Sequence, residues 1–421
     1  MPRTRLTVVL TVLGTLALLL VALPGCKSDS SSTGVPTSIT VTGKVITYYL
    51  LPMSNLPVVI TGRPATTTDA NGSFTVADVT VPYDVTVVAS KLSITYRGLS
   101  RSDPTLENSF SSGVAPNTAT VSGTISGGGG FPPPANRTLS VSISSAEASA
   151  SAMLNLATGA FSVTPTWAGA ATITTILRAL QWDKNAAGMP TTYVGYGEKT
   201  GVAITSGGTF AGQNIAMTAL SSQNISGTVT VPAALILGTK ILSLAFPTNG
   251  SMSLGTESGT ATAFTYVVPS ITGTTLSVTA EASSGGATSL AGKAGIAPGT
   301  NAIALIIPDP TALSLPVNAA AGVTTTTPFS WTPRPSAVYV MVIGGAVNQP
   351  SYMVITGGNS GTIPDLTALG LGLPKSTLYS WYVTTYGPFT NIDAAAAATG
   401  YVPQGDLIKS ISSTRTFTTA P

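Results

Sequence analysis

The chain contains no histidine, a single cysteine and few charged residues. Without histidine the commonest general base and metal ligand is missing, and so are the Ser-His-Asp and Cys-His catalytic arrangements. One cysteine allows no disulfide within the chain, so each folded module must be held together by its core. Asp, Glu, Lys and Arg make up 8% of the residues, far below the roughly 25% of typical soluble domains. We therefore predict that the protein is not an enzyme and holds no metal or cofactor, with a glycosidase-like pair of carboxylates as the catalytic alternative.

The single cysteine, Cys26, lies at the end of the longest apolar run. Two arginines precede an apolar stretch over residues 6–23, which is the layout of an export signal, and no later run approaches the ~18 apolar residues of a membrane span. The sequence Leu23-Pro24-Gly25-Cys26 resembles the bacterial lipoprotein signal. This resemblance implies that residues 1–25 are removed and that Cys26 is lipidated, followed by a flexible spacer over residues 26–37. The alternative is an uncleaved N-terminal anchor.

Charge also argues against a nucleic-acid partner. Removal of the signal takes away Arg3 and Arg5 and leaves 16 basic against 15 acidic residues. Binding to phosphates requires several clustered Lys or Arg side chains. A nearly neutral chain with so few charges cannot supply that cluster.

Two short phrases recur three times along the chain. The first phrase is an apolar residue followed by Thr or Ser and then by glycine, as in Val41-Thr42-Gly43. The second phrase ends in phenylalanine, as in Asn71-Gly72-Ser73-Phe74. The glycine and the phenylalanine are 31, 38 and 37 residues apart in the three copies. Similar order and spacing indicate duplicated units. The pairs are Gly43 with Phe74, Gly123 with Phe161, and Gly227 with Phe264.

Within the units apolar residues alternate with Thr, Ser or Asp, as in Tyr83, Val85 and Val87. This period of two is typical of antiparallel strands with one buried face, and no stretch has the period of an amphipathic helix. Gly and Pro clusters separate the strands every ten residues or so. We predict an all-β protein of tandem β-sandwich modules, which cover residues 38–116, 117–220, 221–310 and 311–421.

The first module resembles the carboxypeptidase regulatory-like family. Three segments carry the resemblance by following one another in this order: the opening phrase, the run Leu56-Pro57-Val58-Val59-Ile60, and the turn Asp69-Ala70-Asn71-Gly72 before Phe74. The resemblance implies a transthyretin-type β-sandwich. Asn71-Gly72 predicts a tight hairpin turn, which we prefer to a calcium loop because the closing glutamate is missing. The next two modules keep both phrases but lack this turn, and we expect three transthyretin- or Ig-like repeats.

The last module is similar to fibronectin type III domains. Trp331, Trp381 and Tyr379 carry the similarity, which implies a β-sandwich with a buried tryptophan and a tyrosine corner. The stretch over residues 387–412 is longer than that family's usual loop, and its alanine run, Ala394 to Ala398, predicts one or two helical turns.

Aromatic residues outside the regular alternation are the candidate binding residues. Exposed rings beside polar groups hold sugars by stacking, and loops carry function more often than cores. Trp331 and Trp381 are assigned to core packing. The candidates are Trp182, Tyr386, Phe389 and Tyr401, with packing as the alternative for each.

Two functions fit these features. The first is a non-catalytic, lipid-anchored protein of the cell envelope, a rod of β-sandwich modules for adhesion, spacing or docking of envelope components. The second is a carbohydrate-binding surface lipoprotein that uses loop aromatics. Both place the chain in the envelope through lipidated Cys26, at the outer membrane on its periplasmic or outer face, with polysaccharide or other envelope proteins as partners.

We expect Cys26→Ser to abolish lipid attachment, since the thiol is the acylated atom. Metabolic labelling with a radioactive fatty acid and membrane fractionation would measure it, with Ser28→Ala as the control. Unchanged labelling of the Cys26→Ser chain would contradict the lipoprotein assignment.

Overall fold

The computed structural model describes residues 38–47, 51–108, 116–398, 400–403 and 405–421. Most of these residues form strands and the turns and loops that join them. Cys26, the predicted signal and the spacer lie outside this part of the chain. We call the strand groups within residues 38–116, 117–220, 221–310 and 311–421 modules one to four.

The strands of module one are β1 (Ser38–Thr47), β2 (Pro57–Ile60), β3 (Thr66–Thr67), β4 (Ser73–Thr80), β5 (Tyr83–Ala89), β6 (Leu92–Leu99) and β7 (Thr105–Asn108). Those of module two are β8 (Asn117–Thr118), β9 (Thr120–Gly127), β10 (Arg137–Ser144), β11 (Ser149–Ser151), β12 (Met153–Asn155), β13 (Ala160–Val163), β14 (Thr166–Trp167), β15 (Thr172–Lys184), β16 (Pro190–Thr205), β17 (Thr209–Phe210) and β18 (Ile215–Ala219).

Module three contains β19 (Ser222–Thr230), β20 (Ile236–Ala245), β21 (Ser251–Ser258), β22 (Ala263–Pro269), β23 (Thr275–Ser284), β24 (Ala287–Ile296) and β25 (Ile303–Ile306). Module four contains β26 (Leu313–Leu315), β27 (Ala320–Val323), β28 (Phe329–Trp331), β29 (Val338–Gly345), β30 (Ser351–Thr356), β31 (Ser360–Gly361), β32 (Leu378–Gly387), β33 (Leu407–Ile411) and β34 (Arg415–Thr419). It also has a 3-10 turn at Thr367–Leu369 and the short helix α1 (Ile392–Ala395). The predicted all-β fold class is confirmed, and α1 lies where the alanine run predicts helical turns.

Modules one to three share one strand topology. In each, the strand with the opening glycine lies between an antiparallel strand with the phenylalanine and a parallel closing strand: β4-β1-β7, β13-β9-β18 and β22-β19-β25. A second strand order repeats as well: β3-β2-β5-β6, β11-β10-β15-β16 and β21-β20-β23-β24. In module two β16 also pairs with β18, which joins the two strand groups into one sheet. The recurring phrases therefore mark the same two neighbouring strands in three copies of a β-sandwich.

The glycine and the phenylalanine of each repeat lie opposite one another in that ladder. In module three a Cβ added at Gly227 would lie 2.2 Å from the Ile303 carbonyl oxygen and 2.6 Å from the Phe264 ring. Glycine is required at this position because the Phe264 ring and the closing strand approach the main chain so closely that no side chain fits between them.

The turn of module one differs from the predicted hairpin. Asp69 Oδ1 accepts hydrogen bonds from the N–H groups of Asn71 and Ser73, both at 2.8 Å, and Gly72 has a φ of 73°. The turn joins β3, which pairs with β2, to β4, which pairs with β1, so it leads from one sheet to the other. The carboxylate caps the turn, in agreement with the preference for a structural turn over a calcium loop.

Module four packs a sheet of β26-β28-β31 against a sheet with the order β30-β29-β32, in which β33 and β34 pair with successive halves of β32. Trp331, Trp381 and Tyr379 are buried between the sheets, in line with the fibronectin-like pattern. The hydroxyl of Tyr352, and not that of Tyr379, donates a hydrogen bond to the Leu371 carbonyl, at 2.9 Å.

One sheet runs through three modules. β30 of module four pairs in parallel with β6 of module one over six residues, and β33 pairs antiparallel with β24 of module three over five. Module four therefore lies between modules three and one in this sheet. In this part of the chain, modules therefore also meet partners that are not their neighbours in sequence, because open sheet edges pair with each other.

We expect Gly227→Ala to destabilise module three by about 1–3 kcal/mol, because the methyl group would overlap the Ile303 carbonyl and the Phe264 ring. Gly344→Ala is the matched control, since Gly344 lies in β29 with open space around its Cβ position. Calorimetric unfolding of both variants would test this. Equal transition temperatures for the two would contradict the close-approach role.

Candidate functional site

The predicted binding aromatics lie at the junctions between modules. Trp182, on β15 of module two, is 4% exposed and belongs to the hydrophobic core of module three. Its ring centroid is 6.3 Å from that of Tyr193, which is buried beside it. The structure therefore places Trp182 in packing contacts, and its ligand-binding role stays a prediction.

A buried arginine joins modules two and three. Arg178 on β15 is 1% exposed, and its guanidinium donates to the carbonyls of Thr248 at 2.9 Å and Asn249 at 3.1 Å, in the turn between β20 and β21. It also donates to Ser144 Oγ at 2.6 Å and lies 4.3 Å from the centre of the Phe246 ring. The planar guanidinium can satisfy several acceptors at once, which lets one side chain define the junction.

Glu198 on β16 balances this charge. Its Oε2 accepts from Arg178 Nε at 2.9 Å and from the Tyr196 hydroxyl at 2.6 Å. Burial, together with the bond to Glu198, raises the pKa of the Tyr196 hydroxyl, which therefore stays protonated as the donor. The ring of Tyr196 is half-buried and lies nearly parallel to Phe246, with centroids 6.2 Å apart.

Tyr386, Phe389 and Tyr401 lie at the junction of modules four and one. All three are partly buried and pack against a core cluster to which modules one and four both contribute. Tyr386 is on β32, and its ring centroid is 5.6 Å from that of Tyr401 in an edge-to-face arrangement. Their ligand-binding role stays a prediction, while the structure places them in packing contacts.

The predicted loop of module four is docked on module one through α1. The Asp393 carboxylate accepts from the N–H of Ser100 at 2.8 Å and of Arg101 at 3.2 Å. Arg101 Nη1 donates to the Asp393 carbonyl at 2.9 Å, and the Ala396 carbonyl accepts from the N–H of Thr105 at 2.7 Å. The loop therefore serves as an attachment between modules.

One acidic side chain is buried at this junction. Glu107 on β7 is 7% exposed, and its carboxylate accepts a hydrogen bond from the N–H of Tyr401. Burial raises the pKa of Glu107, because transfer out of water disfavours the charged carboxylate, although the Tyr401 bond opposes the shift.

The junction of modules three and four is polar. Lys293 Nζ donates to Asp406 Oδ2 at 2.6 Å, and Asp406 Oδ1 accepts from the N–H of Ala294 at 3.0 Å. Beside this ion pair is an open cleft of about 650 Å³ with Thr275, Ser277 and Thr279 in its wall. None of the described residues that line it is aromatic.

Within the described residues, no three His, Cys, Asp or Glu side chains lie together in a way that could hold a metal ion. The same part of the chain has no helix long and apolar enough to cross a membrane. Cys26 lies outside it, and its lipidation stays a prediction.

Sequence reasoning did not find Arg178, Glu198, Asp393 or Glu107. None of them belongs to a recognisable motif. One sequence feature could have indicated such a residue. A charged side chain within an apolar strand needs a buried partner, as Arg178 does in Ile176-Leu177-Arg178-Ala179-Leu180.

The sequence matches no family description, and no curated protein is significantly similar to it. Among solved structures, it is similar to a DUF3823 family protein from Parabacteroides merdae, with 11% identity over 39% of this chain and 92% of that one, at a TM-score of 0.15. It is also similar to the FN1–FN3 domains of chicken CNTN1, with 10% identity over 88% and 100% of the two chains and a TM-score of 0.18. The major pilin subunit BcpA of Bacillus cereus gives 8% identity over 57% and 87%, at 0.13. At such values the likeness says nothing about what this chain binds or does.

We expect Arg178→Lys to lower the stability of the junction between modules two and three by about 2 kcal/mol, because an ammonium group cannot reach all the acceptors that the guanidinium satisfies. Limited proteolysis between the modules and calorimetry would measure the loss. Lys293→Ala removes an exposed ion pair, worth about 0–1 kcal/mol, and serves as the control. Similar effects of both variants would refute the assigned role of Arg178.

Glu107 should make stability depend on pH. A carboxyl whose pKa is raised in the folded state stabilises the fold fully when the pH is below its usual pKa of 4.5. This stabilisation is lost as the pH rises through the folded-state pKa. Glu107→Gln, which keeps an acceptor for Tyr401, is therefore expected to unfold at a higher temperature than the parent near pH 7 and at a similar one near pH 4. The exposed Glu281→Gln is the control. A Glu107→Gln difference that does not change with pH would contradict this.

Proposed function

We propose that the chain is a non-catalytic, lipid-anchored protein of the cell envelope, whose β-sandwich modules form a single scaffold for adhesion, spacing or docking of envelope components. The observation that carries the proposal is the sheet that continues from module three through module four into module one. Main-chain pairing on both sides of module four favours a scaffold that keeps its modules in fixed relation.

The use of acidic groups supports a non-catalytic role. Asp69 caps a turn, Asp393 joins two modules, and Glu198 and Asp406 are paired with Arg178 and Lys293. Together with the lack of histidine, this leaves few groups for acid–base chemistry.

The envelope location rests on Leu23-Pro24-Gly25-Cys26 and on the polar spacer that follows it. A lipidated Cys26 with more than one acyl chain would give a stable anchor in the outer membrane. Other envelope proteins or polysaccharide are the proposed partners.

A disulfide test addresses both the scaffold and the location. Leu92 and Ser351 are paired across β6 and β30, and a lipidated Cys26 leaves no competing thiol. We expect Leu92→Cys with Ser351→Cys to oxidise within one chain in the native host, at the envelope, without loss of membrane association. Leu92→Cys with Thr326→Cys is the unpaired control. Reduced thiols in a soluble cytoplasmic pool would overturn the proposal.

A further inference from the structure

An open cleft of about 390 Å³ lies beside the junction of modules two and three. Its module two wall includes Tyr196, Glu198 and Thr218, and its module three wall includes Phe246, Ser270 and Thr272. Small-molecule sites have volumes of roughly 300–1,000 Å³ and prefer boundaries between folded units.

The aromatic side of the cleft is held in place from behind. The guanidinium of Arg178 is stacked on Phe246, and Phe246 is stacked in turn against Tyr196. Arg178 is buried and bonded to the backbone of the β20–β21 turn, so this stack is anchored in both modules. The orientation of the partly buried Tyr196 ring is thus set before a ligand arrives, which lowers the entropic cost of binding.

The polar groups of the cleft suit a neutral hydroxyl-rich ligand. Both hydrogen bonds that Glu198 receives from Arg178 and Tyr196 end on Oε2, so Oε1 is outside this network. Thr272 is exposed, and its hydroxyl can both donate and accept, while the hydroxyl of Thr218 donates to the Tyr196 carbonyl at 3.4 Å and can still accept. The guanidinium of Arg178 is already paired with Glu198 and buried, so it offers an anionic ligand little attraction.

We propose that this cleft binds a neutral sugar unit of a polysaccharide, with the C–H face of the sugar on Tyr196 and its hydroxyl groups donating to Glu198. The site does not include the predicted aromatic residues Trp182, Tyr386, Phe389 and Tyr401. It exists only where modules two and three meet, since each supplies one wall. It does not depend on lipid anchoring.

The test uses the full chain carrying Cys26→Ser, titrated by calorimetry with maltotetraose, cellotetraose and chitotetraose, and with tetragalacturonate as the charged comparison. We expect at least one neutral oligosaccharide to bind with a Kd on the order of 1 mM or tighter. Tyr196→Ala and Glu198→Gln should each weaken that binding about tenfold or more. Tyr196→Phe keeps the ring and should retain most of it, and Tyr382→Ala, in module four, should retain all of it.

Thr272→Arg provides a second variant that leaves the Arg178 stack intact. The arginine would fill the cleft from the module three wall, and we expect it to abolish binding while the unfolding temperature stays unchanged. The proposal fails if no neutral oligosaccharide binds at millimolar concentration, if Tyr196→Ala or Thr272→Arg binds like the parent, or if tetragalacturonate binds as tightly. Each of these results would leave the envelope scaffold standing, because that proposal rests on the disulfide and location test.

Discussion

The structure depends on the pairing of open sheet edges. A strand at the edge of a sheet has a row of N–H and C=O groups without partners, and natural proteins cover it, charge it or pair it. With so few charged residues, this chain has little electrostatic protection for its edges. Module four provides the pairing: β30 is bonded to β6 of module one, and β33 to β24 of module three. Three sandwiches are thereby joined through their main chains.

Two of the buried charged residues lie where modules meet. Arg178 joins module two to module three, and Glu107 is buried at the contact of modules one and four, where the partly buried Asp393 holds α1 on module one. A buried charge is costly unless its partners are well placed, so each of these residues favours one arrangement of the modules over others. The rigidity of the Tyr196 cleft has the same origin, because Arg178 supports its aromatic side.

Much of the fold could be predicted from local pattern. Alternation of apolar residues predicts strands because a strand has two faces, and the recurring Gly43 and Phe74 phrases predict copies because they occupy facing positions in each ladder. The predicted binding residues fared differently. Alternation breaks down around Trp182, Tyr386 and Tyr401, and these breaks mark the contacts between modules. There the rings pack against clusters to which two modules contribute.

The strand content, the triplication, the fibronectin-like core of Trp331 and Trp381 and the absence of histidine chemistry follow from the sequence alone, because each depends on residues near in sequence or on composition. The packing of the modules, in contrast, sets three further features: β6 pairs with β30, Arg178 reaches the β20–β21 turn, and Tyr196 and Glu198 form one wall of a cleft. Nearly every residue offers the same main-chain N–H and C=O groups to a neighbouring strand, whatever its side chain. The choice of partner for an edge strand is therefore set by how whole modules pack, and no local pattern records it.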